Sequence, residues 1–103
     1  MGLNDLETQR KRLQRLRVLQ TLSFNRPNAT GDGLIRQALR GDEDLAFTQK
    51  SIRNSLDYLE QRGLVQITSK NDQAWMAKVT ADGVDFLDGI GDPIDGVARP
   101  DEF

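Results

Sequence analysis

The hydrophobic pattern is clearest between residues 48 and 67, where an apolar stripe of helical period leads into a β-prone segment. Thr48 is a favourable N-cap because its hydroxyl can accept from a free amide of the first turn. Gly63 stands where a left-handed residue commonly ends a helix. The stretch therefore predicts a helix, a glycine stop and a strand over residues 64–68. The apolar stripe consists of Ile52, Leu56, Leu59 and Leu64.

The opposite face of this helix is polar in its N-terminal half. Amide and guanidinium side chains on a short helix are the groups that read base edges in the major groove of DNA. The same pattern is expected of a solvated face on an ordinary helix, and these residues alone leave both interpretations open. The polar positions are Gln49, Lys50, Arg53, Asn54 and Asp57.

An amphipathic helix is predicted from about residue 5 to residue 23, with Asn4 as its cap and Glu7 completing a capping box. Its cations favour either a solvated helix or one that contacts phosphate or a second copy of the chain. A membrane-surface helix is disfavoured because no aromatic residue accompanies the arginines. The apolar positions are Leu6, Leu13, Leu16, Leu19 and Leu22, and the cations are Arg10, Lys11, Arg12, Arg15 and Arg17.

A second helix is expected over residues 34–40, because Pro27 breaks the first and Gly41 closes the second. Either Thr30 or Asp32 would cap it. Its core-facing positions are expected to be Leu34, Ile35, Ala38 and Leu39. The acids at 42–44 that follow lack the ligand spacing of a calcium loop, so a solvated turn that repels phosphate is expected there.

Two short strands, residues 64–68 and 74–80, flank a polar turn and predict a β-hairpin. Trp75 is expected to anchor this hairpin, with ligand contact as the alternative. Thr80 would cap a last helix over residues 81–88. The Gly-, Pro- and Asp-rich segment from residue 90 is expected to be extended, and either to be mobile or to lay Ile94 and Val97 against the body.

Composition excludes several classes of function. A chain of 103 residues is expected to form a single main domain with one core. It contains no cysteine and no histidine, which removes disulfides, thiolate metal sites and the commonest general base. No glycine-rich phosphate loop or Ser–base pair is present, so we expect neither an enzyme nor a cofactor or metal. The chain lacks a long apolar run and a signal-peptide pattern, which favours a cytoplasmic protein without membrane contact.

The formal net charge of −2 is unevenly distributed. Residues 1–79 hold 13 Lys and Arg against 9 Asp and Glu, a net of +4. Residues 80–103 hold 1 against 7, a net of −6. The split indicates that one part of the surface can meet phosphate although the whole chain is acidic.

The order of predicted elements is α-α-α-β-β-α, a mainly α fold with a β-hairpin. It corresponds to a winged helix-turn-helix over residues 1–89, followed by an acidic Gly- and Pro-containing tail over residues 90–103. Leu-Asp-Tyr-Leu-Glu-Gln-Arg-Gly-Leu-Val, at 56–65, resembles the end of the recognition helix in many bacterial winged-helix regulators. Val-Thr-Ala-Asp-Gly, at 79–83, is similar to the segment that follows the wing in that group.

A narrower resemblance is to small winged-helix proteins of Mu-like phages and prophages, often labelled as regulators of the arsenic-repressor type. It is carried by Leu-Ile-Arg-Gln-Ala-Leu at 34–39, by Thr-x-x-Gly-x-x-x-x-x-Gly at 80–89, and by Gly-Val-Ala-Arg-Pro at 96–100. The resemblance implies a DNA-binding transcriptional regulator. Metal sensing of the arsenic-repressor kind is excluded because its cysteine and histidine ligands are absent.

Two functions are carried forward. The first is binding of double-stranded DNA by a homodimer, with two half-sites one helical turn apart. Its base-reading residues would be Gln49, Lys50, Arg53 and Asn54, and its phosphate contacts Arg10, Lys11, Arg15, Lys70 and Lys78. The second is a protein-interaction module without DNA binding, which suits a pI near 5.0. In either case the acidic tail could dock on a basic partner or on the chain's own first helix, where it would mask the phosphate-facing surface.

Overall fold

The computed structural model describes residues 2–102, apart from the side chains of Leu3 and Asn4. This part of the chain forms four α-helices and a three-stranded antiparallel sheet, a mixed α/β arrangement. No helix in it is both long and apolar enough to cross a membrane. In chain order the elements are α1 (Leu3–Phe24), β1 (Thr30–Gly31), α2 (Asp32–Ala38), α3 (Gln49–Gln61), β2 (Val65–Lys70), β3 (Trp75–Val79) and α4 (Ala81–Leu87).

The sheet contains a strand that the sequence pattern did not predict. The two residues of β1 pair antiparallel with β3, so that Thr30 lies opposite Ala77 and Gly31 opposite Met76. The strand order is β1-β3-β2, which places β3 in the centre. The fold is therefore not only helices and a hairpin, because β1 joins the start of α2 to that hairpin.

Helix α1 begins two residues before the predicted start. Gly2 is its N-cap, and the Gly2 amide donates to Asp5 Oδ2 at 3.4 Å. The expected capping box of Asn4 and Glu7 is wrong, because Asn4 lies within the helix and Glu7 instead pairs with Arg10 at 2.7 Å. The buried positions of α1 are Leu16, Val18, Leu19 and Leu22.

Helix α2 presents a narrower apolar face than expected. Ile35 is fully buried and Leu39, which caps the helix, is 7% exposed. Leu34 is 61% exposed and Ala38 is also exposed, so the expectation that these two face the core is wrong. Ile35 and Leu39 are four positions apart and therefore share the core-facing side. Leu34 and Ala38 each precede one of them by one residue, which turns their side chains towards solvent.

Helix α3 and the hairpin match the sequence prediction closely. Thr48 Oγ1 accepts from the Ser51 amide at 3.0 Å, which confirms the N-cap. Gly63 has a φ of +76°, the left-handed conformation predicted for the helix stop. All four positions of the apolar stripe are buried in the core: Ile52, Leu56, Leu59 and Leu64.

The segment after α4 folds back against α1. Val97 is 1% exposed and Ala98 is fully buried. The Ala98 amide donates to the Arg12 carbonyl oxygen at 3.2 Å, and Ile94 packs against the core. Of the two expectations for this segment, the structure shows the packed one. A short 3₁₀ turn at Pro100–Glu102 follows.

Candidate functional site

The outward face of α3 carries several polar side chains without partners among residues 2–102. Gln49, Lys50 and Asn54 are all exposed. Their side chains make no hydrogen bond, ion pair or ring contact with any other part of residues 2–102. Three of the four predicted base-reading residues are thus available to a ligand.

The fourth, Arg53, is held by a buried carboxylate. Its Nε donates to Asp32 Oδ2 at 2.6 Å, and Asp32 is 2% exposed. The other oxygen of Asp32 accepts from the Trp75 amide at 3.3 Å. One carboxylate therefore joins the start of α2, the middle of α3 and the start of β3. Arg53 acts first as a positioning residue, and only 19% of its side chain is exposed.

The hairpin is attached to α3 by a second set of contacts. Glu60 Oε2 accepts from the Ile67 amide at 2.7 Å. Lys70 Nζ lies 2.8 Å from Asp57 Oδ1 and 4.6 Å from the centre of the Trp75 ring. Both contacts from α3 therefore reach β2, and Lys70 connects them to Trp75 on β3.

The predicted phosphate contacts fall into three groups. Arg10 and Lys70 are paired on the surface, with Glu7 and Asp57 respectively. Exposed pairs of this kind contribute little to stability, so either cation can exchange its partner for a phosphate. Lys11 and Lys78 have no partner in the described part of the chain, and Lys11 is the more exposed of the two.

Arg15, the remaining predicted phosphate contact, stacks against an aromatic ring. Its guanidinium carbon lies 3.5 Å from the centre of the Tyr58 ring, and that of Arg62 lies 3.4 Å from the same centre. Both guanidinium groups cannot occupy one face of the ring at such distances, so the ring lies between them. Arg15 Nη1 also donates to the Gly96 carbonyl oxygen at 2.9 Å. Burial lowers the pKa of Arg15, with Tyr58 opposing and Arg62 adding to the shift.

The C-terminal segment completes this cluster. The Tyr58 hydroxyl donates to the Asp95 carbonyl oxygen at 3.0 Å. Further along, Arg12 Nη2 contacts both carboxylate oxygens of Glu102, at 2.8 and 3.1 Å. The expected docking of the acidic tail on the chain's own basic helix is therefore present in the structure, and it engages the side chains of Arg12 and Arg15.

Sequence reasoning missed two cations, one on α2 and one just after its end. Arg36 and Arg40 are exposed and, within the described residues, unpaired. They line a cleft of about 500 Å³ together with Phe47. Their spacing of four residues on a predicted helix was the available signal, because such positions share a face.

The acidic turn before α3 is a 3₁₀ turn at Glu43–Leu45, and Leu45 is buried. Asp42 Oδ2 lies 3.8 Å from Arg17 Nε, so the nearest positive group is on α1. Among residues 2–102, leaving out the side chains of Leu3 and Asn4, no group of acidic side chains could hold a metal ion. The turn remains a source of repulsion for phosphate near the N-terminus of α3.

When the chain is compared with known proteins, no family model, no curated protein and no solved structure matches it. The assignment of function therefore depends on the surface itself. That surface offers amide and ammonium donors on α3, further cations on α1 and α2, and a hairpin held rigidly beside them.

Proposed function

We propose that the chain is a winged helix-turn-helix protein that binds double-stranded DNA and acts as a phage or prophage transcriptional regulator. The order of helices and the three-stranded sheet are compatible with such a fold, with α3 as the recognition helix and the hairpin as the wing. The observation that carries the proposal is that the polar residues of α3 form two groups, one bonded to the rest of the fold and one without partners. Arg53, Asp57 and Glu60 fix the hairpin, whereas Lys50 and Asn54 have no partner within residues 2–102.

In this proposal base recognition rests on three residues of the first half of α3. Asn54 and Gln49 can each form two hydrogen bonds with an adenine edge, and Lys50 can donate to guanine acceptors. Each good pair contributes about 1–3 kcal/mol of discrimination between bases. Arg53 would keep these side chains in register with the wing, because Asp32 fixes its position.

Phosphate contacts in this proposal come from the elements around α3. Lys11 on α1 and Lys78 on the hairpin have no partner among residues 2–102, and neither have Arg36 on α2 and Arg40 just after it. The whole chain is nevertheless acidic, with a net charge of −2. We therefore expect binding to be strong only at low ionic strength, and to weaken as salt rises.

The direct test is a binding assay with a pool of duplex sequences at low salt, followed by sequencing of the bound fraction. The proposal predicts an enriched motif. It also predicts that Asn54→Ala relaxes the preference at one base pair of that motif, by about 1–3 kcal/mol. Gln61→Ala is the matched control, because Gln61 is also an exposed amide but lies at the C-terminal end of α3, seven residues beyond Asn54. Failure to enrich any sequence, or equal effects of both variants, would reject this face as the DNA-reading surface.

A second candidate function, protein interaction, is favoured by one observation. Phe24 at the end of α1 is 92% exposed, and it borders a cleft of about 480 Å³ that Leu87 and Pro100 also line. A partner that covered this side chain would gain free energy by removing its apolar surface from water. Sedimentation of the chain with and without Phe24→Ser tests this use: a lower mass for the variant indicates self-association through this cleft, and equal masses show that Phe24 does not mediate self-association.

A further inference from the structure

The middle of α1 and the N-terminal half of α3 line a small polar cleft of about 260 Å³. It connects two groups of residues that sequence reasoning had assigned separately, one to phosphate and one to base edges. The cleft is lined by Lys11, Gln14, Arg15, Ser51, Asn54 and Ser55.

Ser55 is the most informative member of this cleft. The residue as a whole is 4% exposed. Its hydroxyl has no hydrogen-bond partner within residues 2–102, yet it is accessible to solvent, because the fully buried unpartnered side-chain atom of those residues is Arg17 Nε and not Ser55 Oγ. A free hydroxyl in the wall of the cleft can donate a hydrogen bond to a ligand atom placed there.

The other groups around the cleft select a negatively charged ligand. Lys11 and Asn54 are exposed and unpartnered in the described chain, and Arg15 keeps donors beyond the one bonded to Gly96. No carboxylate lines the cleft. Two other clefts of the molecule differ in this respect: Asp42 and Glu43 line the one beside α2, and Asp82, Asp85 and Asp92 line the one beside α4.

We propose that this cleft binds a phosphate group. Lys11 and Arg15 supply positive charge, and Ser55 donates a hydrogen bond to a phosphate oxygen. The group would be either a phosphodiester of the DNA backbone or a free phosphate. The first source rests on the proposed function and the second does not. A backbone phosphate held here fixes the duplex against both α1 and α3, beside the base-reading residue Asn54.

The test begins with inorganic phosphate and the whole chain. Phosphate is titrated at constant ionic strength, with chloride as the reference salt, and the backbone amide resonances are followed. The cleft predicts saturable shifts at residues 11, 51, 54 and 55. Ser55→Ala removes one donor to a charged group and is expected to weaken phosphate binding about tenfold. Ser23→Ala, a half-buried serine at the far end of α1, is the matched control.

Lys11→Gln provides a variant that cannot disturb the core, because Lys11 is exposed. It is expected to abolish the phosphate-dependent shifts, whereas Lys78→Gln on the hairpin is expected to keep them. Shifts that are absent, that do not saturate, or that persist in both Lys11→Gln and Ser55→Ala would overturn the site.

A DNA measurement then separates the two sources. If the cleft holds a backbone phosphate, Lys11→Gln lowers the slope of log K against log salt by about 0.9, and free phosphate competes with duplex binding. If the phosphate shifts localise to the cleft but duplex affinity is unchanged by both variants, the site stands as one for free phosphate. A wild-type chain that binds no duplex yet shows the same shifts contradicts the proposed function and still supports the cleft.

Discussion

Arg53 and Asp32, 21 positions apart in the chain, form the tightest ion pair between separate elements, with Nε and Oδ2 2.6 Å apart. The carboxylate is almost fully buried and also accepts from the Trp75 amide. It thereby holds the recognition helix of the proposed DNA interface against the first residues of β3. The pair links the packing of the fold to the position of its candidate binding surface.

Asp32→Asn is expected to destabilise the fold markedly. The substitution keeps the size of the side chain but leaves the Arg53 guanidinium without its counter-charge in a mostly buried position. Loss of one partner from such a pair costs about 2–3 kcal/mol in the free energy of unfolding. The single tryptophan, Trp75, is in contact with this network and reports unfolding in denaturant through its fluorescence.

The control for that experiment is Asp57→Asn. Asp57 also pairs with a cation, Lys70, but the two side chains are 40% and 49% exposed. Exposed pairs contribute about 0–1 kcal/mol, so this variant is expected to unfold close to the wild type. Equal losses from the two substitutions would show that burial of Asp32 does not matter.

Gly83→Ala is expected to weaken the attachment of α4. A Cβ at Gly83 would overlap the Leu64 carbonyl oxygen and lie 2.7 Å from Val79 Cγ2, so α4 would have to move away from the base of the hairpin. Overpacking of this kind costs about 1–3 kcal/mol. Thermal unfolding followed by circular dichroism measures the loss.

Gly33→Ala gives the opposite expectation from the same chemical change. Gly33 lies in the first turn of α2, and an added Cβ there has no atom within 4 Å. Alanine restricts the unfolded chain more than glycine does, so a gain of about 0.5 kcal/mol is expected. If Gly33→Ala lowers stability instead, the space around the added Cβ does not explain the difference between the two glycine substitutions.

Glu102→Gln is expected to increase DNA affinity, if the proposed function holds. Glu102 holds Arg12 at 2.8 Å, and its neutral replacement frees that guanidinium for a phosphate. The ion pair is partly exposed, so a gain of about threefold at low salt is expected, with a steeper salt dependence. Fluorescence anisotropy with a labelled duplex measures both quantities.

Asp101→Asn is the matched control for charge alone. It removes one negative charge from the same 3₁₀ turn, but Asp101 is 77% exposed and pairs loosely with Arg99 at 3.7 Å. If both variants bind DNA equally well, the general charge of the tail and not the Arg12 contact limits binding. Complete removal of the tail is a poorer test, because Val97 and Ala98 are buried in the body.

The parts of the fold that the sequence predicted are those encoded by local signals. For α3, an apolar stripe, a capping threonine and the glycine at 63 all fall within one short stretch, and each predicted feature is present. Strand β1 was missed because two residues, Thr30 and Gly31, carry no alternating pattern. They become a strand only through pairing with β3, more than forty positions away.

The candidate site shows the same limit. Exposure of Gln49, Lys50 and Asn54 follows from the helical period, which the sequence displays. The partner of Arg53 could not be predicted, since a carboxylate 21 positions earlier is one of many that a solvent-facing arginine might meet. The burial of Ser55 beside Lys11 was equally hidden, because it depends on how α1 crosses α3 and not on either helix alone.

The most direct test of the central claim is duplex binding at low salt by the wild-type chain and by the double variant Lys50→Ala, Asn54→Ala. Both side chains are exposed and unpartnered in the described structure, so the variant is expected to fold normally. The account predicts that the wild type binds a selected duplex in a salt-dependent manner and that the double variant loses sequence preference. A wild-type chain that binds no duplex, or a double variant with unchanged affinity and preference, would contradict it.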